Sequence, residues 1–135
     1  MNSSPPAGYA SPEIQTVIAW HEALNSGEVE RLVGLSHPDV EVGGPRGAGH
    51  GARILREWVG RANIHLDPGR TFQKADAVVV EQEARWRSAE PSGTQTVASV
   101  FVVREGLVTS VVRYPDLDVA LHAANLDHSH QRRSD

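Results

Sequence analysis

Residues 94–126 read TQTVASVFVVREGLVTSVVRYPDLDVALHAANL. Two β-branched runs, Thr94–Arg104 and Leu107–Tyr114, flank the turn signal Glu105-Gly106, a pattern that predicts a long hairpin. Pro115 holds Tyr114 extended and has no N–H to give a neighbouring strand, so the second run ends there. Asp116 is placed to cap a helix in which Leu117, Ala120, Leu121 and Ala124 recur at i, i+3, i+4 and i+7. An apolar hairpin leading into a helix must be covered by other elements of the chain.

The first half of the chain supplies three helices for that purpose. Ser11-Pro12-Glu13 is a start signal, with Ser as cap and Pro at the first helical position. The helix it opens runs to about Asn25, with Ile14, Val17, Ile18 and His21 on one face and Trp20 and Leu24 on an adjoining stripe. Gly27 supplies the left-handed stop. A second helix follows from Glu28 to about Leu35, and Pro38-Asp39 leads into a strand, Val40–Gly44. The glycine-rich run 43–51 lacks the Gly-Lys-Ser/Thr of a phosphate loop and the spacing of a dinucleotide site, so it reads as a rim. It turns the chain into a third helix carrying Ile54, Leu55, Trp58, Val59 and Ala62. Two more strands are expected at Ile64–Gln73, interrupted near Pro68-Gly69, and at Ala77–Arg87, with a turn over Glu90–Gly93. Residues 1–11 and 127–135 read as a disordered arm and tail around a single domain, 12–126.

Composition excludes several classes of function. Seventeen acidic against 13 basic residues give a formal net charge of −4, and a nucleic-acid partner wants a basic footprint. Arg46, Arg53, Arg56 and Arg61 are interrupted by acidic and apolar neighbours and read as a solvated helix face. With no cysteine there is no disulfide, thiolate metal site or cysteine nucleophile. No apolar run approaches the roughly 20 residues of a membrane span, and no secretory leader is visible, so a cytoplasmic protein without membrane contact is expected. His128 and His130 lie in the expected tail without an anchoring ligand, so neither a metal nor another cofactor is expected.

The order of elements resembles the NTF2-like superfamily, which includes ketosteroid isomerases, SnoaL-like polyketide cyclases and limonene epoxide hydrolases. The resemblance is carried by Trp20 through Glu28, Pro38 through Val42, Gly51 through Trp58, Arg104 through Val108 and Tyr114 through Leu117. It implies an α+β cone, a curved antiparallel sheet wrapped around the N-terminal helices, with a pocket inside. The isomerase's catalytic positions fall on Gly44, Trp20 and Val100, which offer neither a base nor an oxyanion hole. The epoxide hydrolase pattern is not matched either, since Arg113 stands where an aspartate would be needed.

Carried onto this chain, the resemblance selects Trp20, Val40, Val42, Gly44, Trp58, His65, Val80, Gln82, Trp86, Val100, Val111 and Arg113 for the cavity face. His65 is the candidate acid/base group, with a backbone- or solvent-bonded edge histidine as the alternative. Gln82 can equally be a satisfied core amide. Arg113 needs a partner, either Glu22 or Asp116 within the chain or the anionic group of a ligand. Val79, Val97, Phe101, Val103, Val112 and Tyr114 would form an apolar outer face on which, by the same resemblance, two copies pair. The function expected is binding of a small, mostly apolar metabolite without an assignable reaction. The alternatives are a lyase, isomerase or cyclase using His65, and a protein-interaction module using the outer face.

Overall fold

Ser11 starts the fold as the sequence predicts: its hydroxyl accepts from the backbone N–H of Ile14 at 3.1 Å and opens α1 (Pro12–Asn25). The computed structural model describes residues 11–44, 47–62, 64–86 and 94–132, with the side chains of Arg61, Ala62 and Trp86 outside that description. The arm at 1–10, the turn at 90–93 and the last residues, 133–135, lie outside the described residues. After α1 come α2 (Val29–Gly34), β1 (Ser36–Gly44), β2 (Gly47–His50) and α3 (Ala52–Ala62). Then follow β3 (Ile64–Lys74), β4 (Ala77–Trp86), β5 (Thr94–Arg104), β6 (Leu107–Tyr114), α4 (Leu117–Ala124), a 3₁₀ turn at His128–His130 and β7 (Gln131–Arg132).

The strands form one open, curved sheet in the order β2-β1-β6-β5-β4-β3-β7. Neighbours run antiparallel except β1 and β6, which are parallel. Inside the curve, Val17, Trp20 and Leu24 of α1 and Leu55 of α3 share one core with Val42, Val78, Val80, Phe101 and Val111 of the sheet. Trp20 meets Phe101 edge-on at 5.2 Å between ring centroids, an arrangement that suits the charge distribution of both rings. A second core lies on the outside, where Leu117, Ala120 and Leu121 of α4 cover Phe72, Val79 and Ala98.

Asn25, at the end of α1, hydrogen-bonds β3 as a strand would. Its amide donates to the Leu66 carbonyl at 2.8 Å and its oxygen accepts from the Leu66 N–H at 2.9 Å. Ion pairs are peripheral: Arg56 grips Glu30 through two nitrogens, Arg53 meets Glu57, and Arg31 meets Glu22 and Glu28, all on exposed side chains. Pairs of that kind contribute about 0–1 kcal/mol each.

Several expectations are corrected here. Val97, Phe101 and Val103 belong to the inner core and Val100 packs against the outer one, so the two faces of β5 are the reverse of those expected. Val79 does face outward, but it is buried beneath α4 rather than forming an exposed patch. On β6, Val102 opposes Ser110 while Val103 opposes Val108, which leaves Thr109 as an extra residue. That bulge puts both Val108 and Val111 inside, although they differ in parity. The rim expected at 43–51 contains a strand, since β2 pairs with β1 from Glu41–His50 to Gly44–Gly47. The expected loose tail is ordered over 127–132: Asp127 caps the 3₁₀ turn, and Gln131 and Arg132 pair with Phe72 and Thr71.

Asn25→Ala leaves the Leu66 N–H and C=O without their side-chain partner. It is expected to lower the unfolding free energy by about 1–3 kcal/mol, measured by urea denaturation; an unchanged midpoint would show that the helix end is held elsewhere.

Candidate functional site

Helical spacing on α1 sends Trp20 and His21 together into the concavity, and both are essentially inaccessible to solvent. The Trp20 indole N–H donates to Ser36 Oγ at 3.2 Å, and the Ser36 hydroxyl donates to the Leu32 carbonyl at 2.9 Å. With its polar atom satisfied there, the indole serves the cavity as an apolar wall. Trp58 of α3, half-buried, stands 6.4 Å from it at an interplanar angle of 30°. Val42, Leu66 and Val111 complete the apolar lining, with Gly43 beside them and Ser99 and Arg113 as the polar end.

The space is tight. About 10 Å³ is open to the centre of a water molecule, within about 280 Å³ of atom-free space that extends to the mouth. The first value is near the minimum for a single water, so a larger occupant must displace a wall.

Ser99 and Arg113 are register partners on β5 and β6. Directly opposed residues on one face have Cβ atoms about 5 Å apart, so the two side chains leave the sheet next to each other, and both line the cavity. Burial pulls the Arg113 pKa below its ordinary value, yet a guanidinium starts so high that it stays charged. Behind Ser99 runs a chain of buried hydrogen bonds. Its hydroxyl donates to Gln82 Oε1 at 2.8 Å, Gln82 Nε2 contacts His21 Nε2 at 2.8 Å, and His21 Nδ1 contacts the Val17 carbonyl at 2.8 Å. His21, Gln82 and Ser99 are 2%, 1% and 3% exposed. Burial drives the His21 pKa down from 6.5 to about 4, against a smaller opposing effect of the Val17 carbonyl. The imidazole is therefore neutral at pH 7.

Of the residues selected from the sequence, Trp20, Val42, Trp58, Val111 and Arg113 do line this cavity. Val40, Val80 and Gln82 are buried in the interior without lining it. Gly44 is half-buried at the end of β1, and a Cβ there would meet nothing within 4 Å. The side chain of Trp86 lies outside the described residues. His65 is a correction: Ile64 and Leu66 point into the core, so the alternation of the strand turns His65 to the other face. There its Nε2 meets Asp67 Oδ1 at 2.8 Å. Val100 is turned away for the same reason of parity. Glu22 lies 3.5 Å from Arg31, and the Asp116 carboxylate accepts from the Val119 N–H.

Leu66, Gly43 and Ser99 were missed. Leu66 could have been found from the Ile64–Leu66 alternation, whereas Ser99 depends on the bulge. Counted without it from the Glu105-Gly106 turn, Arg113 would face Ala98. Chemically, the described lining offers one cation, one hydroxyl and apolar surface, and it contains no carboxylate or imidazole. Among the described residues no group of three or more His, Asp or Glu is arranged to hold a metal ion.

An open curved sheet closed by helices over such a cavity defines the NTF2-like class of α+β proteins. The family model of the SnoaL-like domain matches residues 17–111, well over half of the chain, and the protein belongs to that family. Similar solved structures include an NTF2-like protein of unknown function from Burkholderia pseudomallei, with 18% identity and a TM-score of 0.72, covering 84% of this chain and 97% of that one. TerC, co-crystallised with polyporic acid, has 22% identity and a TM-score of 0.70, covering 84% and 97%. A hypothetical protein with a ketosteroid isomerase-like fold from Catenulispora acidiphila, in complex with trimethylamine, has 20% identity and a TM-score of 0.68, covering 84% and 94%. Among curated proteins no sequence match is found.

Protonation of His21 opposes folding. Below pH 6.5 the unfolded chain takes up a proton that the folded chain refuses until about pH 4, so stability falls as pH drops through that window and is intact above it. The expected loss is up to about 3 kcal/mol, and His21→Gln should remove that part of the pH dependence in urea titrations. A His21 resonance, assigned by its loss in His21→Gln, that titrated near 6.5 by NMR in the folded protein would contradict a buried neutral His21.

Proposed function

We propose that this SnoaL-like domain binds a small, mostly apolar metabolite bearing an anionic group, with the anion held by Arg113. The observation that carries this is the position of Arg113, a charged end on a cavity otherwise walled by Trp20, Trp58, Val42, Leu66 and Val111. Small-molecule sites have this composition, apolar walls with a few orienting polar groups. Related folds hold ligands of different charge, polyporic acid in TerC and trimethylamine in the Catenulispora acidiphila protein. The guanidinium decides between those kinds here, because it attracts an anion and repels a protonated amine. Entry requires Trp58 to shift, and its half-buried place on α3 makes it the wall with the least to lose. An acid/base enzyme using His65 finds no support, since that ring is on the other face of β3 and bonded to Asp67.

A homodimer belongs to the same proposal, with a smaller contact than the sequence suggested. Val112 and Tyr114 remain half-buried on the outer side of β6, beside the part of the sheet that α4 covers. A cytoplasmic setting also belongs to the proposal.

Thermal shift with a panel of carboxylates tests the ligand class. At 100 times the dissociation constant, a bound acid should stabilise the protein by about 2.7 kcal/mol, and Arg113→Met should abolish that gain while folding normally. A variant that keeps the ligand-induced shift, or loses stability only in the absence of ligand, would remove Arg113 from the site. Light scattering tests assembly: the protein should run at twice its chain mass and Val112→Glu at the single-chain mass, and a dimeric variant would place the contact elsewhere.

A further inference from the structure

The direction of the buried hydrogen-bond chain can be worked out from its far end. The Val17 carbonyl only accepts, so His21 Nδ1 carries a proton and donates to it at 2.8 Å. A neutral imidazole has one N–H, which leaves Nε2 as an acceptor. Gln82 must then present its NH₂ to His21 at 2.8 Å, and its carbonyl oxygen is turned to Ser99. That oxygen cannot donate, so the Ser99 hydroxyl spends its only hydrogen on it. What Ser99 shows to the cavity is lone pairs alone. A serine is ordinarily able to give or accept, but this one accepts.

Resting on the anion-binding role of Arg113, we infer that the site selects hydroxy acids: the carboxylate meets Arg113 while a hydroxyl on a neighbouring carbon donates to Ser99 Oγ. The register pairing of Ser99 with Arg113 starts the two side chains from opposed positions on adjacent strands, and both line the cavity, so a ligand carrying a hydroxyl next to its carboxylate presents one group to each. A ligand with an acceptor in place of that hydroxyl, such as an ether or keto oxygen, faces lone pair against lone pair. Trp20 and Trp58 take the apolar remainder.

Titrations following tryptophan fluorescence test this with two matched sets of probes, lactate against propionate and mandelate against phenylacetate and α-methoxyphenylacetate. In each set the hydroxy acid should bind roughly tenfold tighter than the acid lacking the hydroxyl, the scale of one neutral hydrogen bond. The methoxy acid should gain nothing over phenylacetate. Ser99→Ala should bring the hydroxy and unsubstituted acids to within about twofold of each other; because it strips Gln82 of a partner and can weaken folding, the methoxy comparison on the unaltered protein decides independently. Equal binding of hydroxy and unsubstituted acids, with both still dependent on Arg113, would overturn the hydroxy-acid inference and leave the anion site standing. If no acid of either set binds saturably, the anion site falls as well.

Discussion

A buried imidazole needs a partner at each nitrogen, and in this protein that requirement joins the first helix to the sheet. His21 spans from its own helix, through the Val17 carbonyl, to Gln82 on β4. Because both contacts are 2.8 Å long and shielded from water, the helix has little freedom to rotate or slide in the concavity. The placement of Trp20, one residue earlier, follows from that lock, and so does the wall it forms. A leucine at position 21 would pack, but it would leave the Gln82 amide unsatisfied and the helix free to settle at a different angle.

The energetic division is correspondingly sharp. Dispersion and burial among Trp20, Phe101, Leu55 and the inward valines hold the interior, while hydrogen bonds, few and fully enclosed, decide its orientation. The charged pairs on the surface add little to either. Arg113 stands apart, as a cation on a cavity whose other described walls are neutral and mostly apolar, and its cost in desolvation shows in its lowered pKa.

The hairpin, its turn and the cap of the last helix were legible because each carries a local chemical signal: β-branched runs, Glu105-Gly106, Pro115-Asp116. The faces of β5 were not legible. Val97 through Val103 contains one polar residue, Ser99, since α1 covers one side and α4 the other, and a strand buried twice has no alternation to read. The bulge at Thr109 has no local signature either, and it alone shifts the partner of Arg113 from Ala98 to Ser99. On β3 the signal was present, in Ile64 and Leu66, and was overruled by the position assigned to His65 from the resemblance. His21 lay in view on an apolar helix face, but its role could be recognised only once Gln82 and Ser99 were brought opposite.

The two borders of the sheet differ from its middle in length. β2 has four residues, three of them within Gly47–Gly49 and small, and β7 has two, laid over the Phe72 end of β3. A long bare border invites another chain to add itself strand by strand, and short terminal strands deny it a template. The segment after α4 thus acts as a selvedge: by pairing with Thr71 and Phe72, Gln131 and Arg132 deny that stretch of β3 to a strand from another molecule.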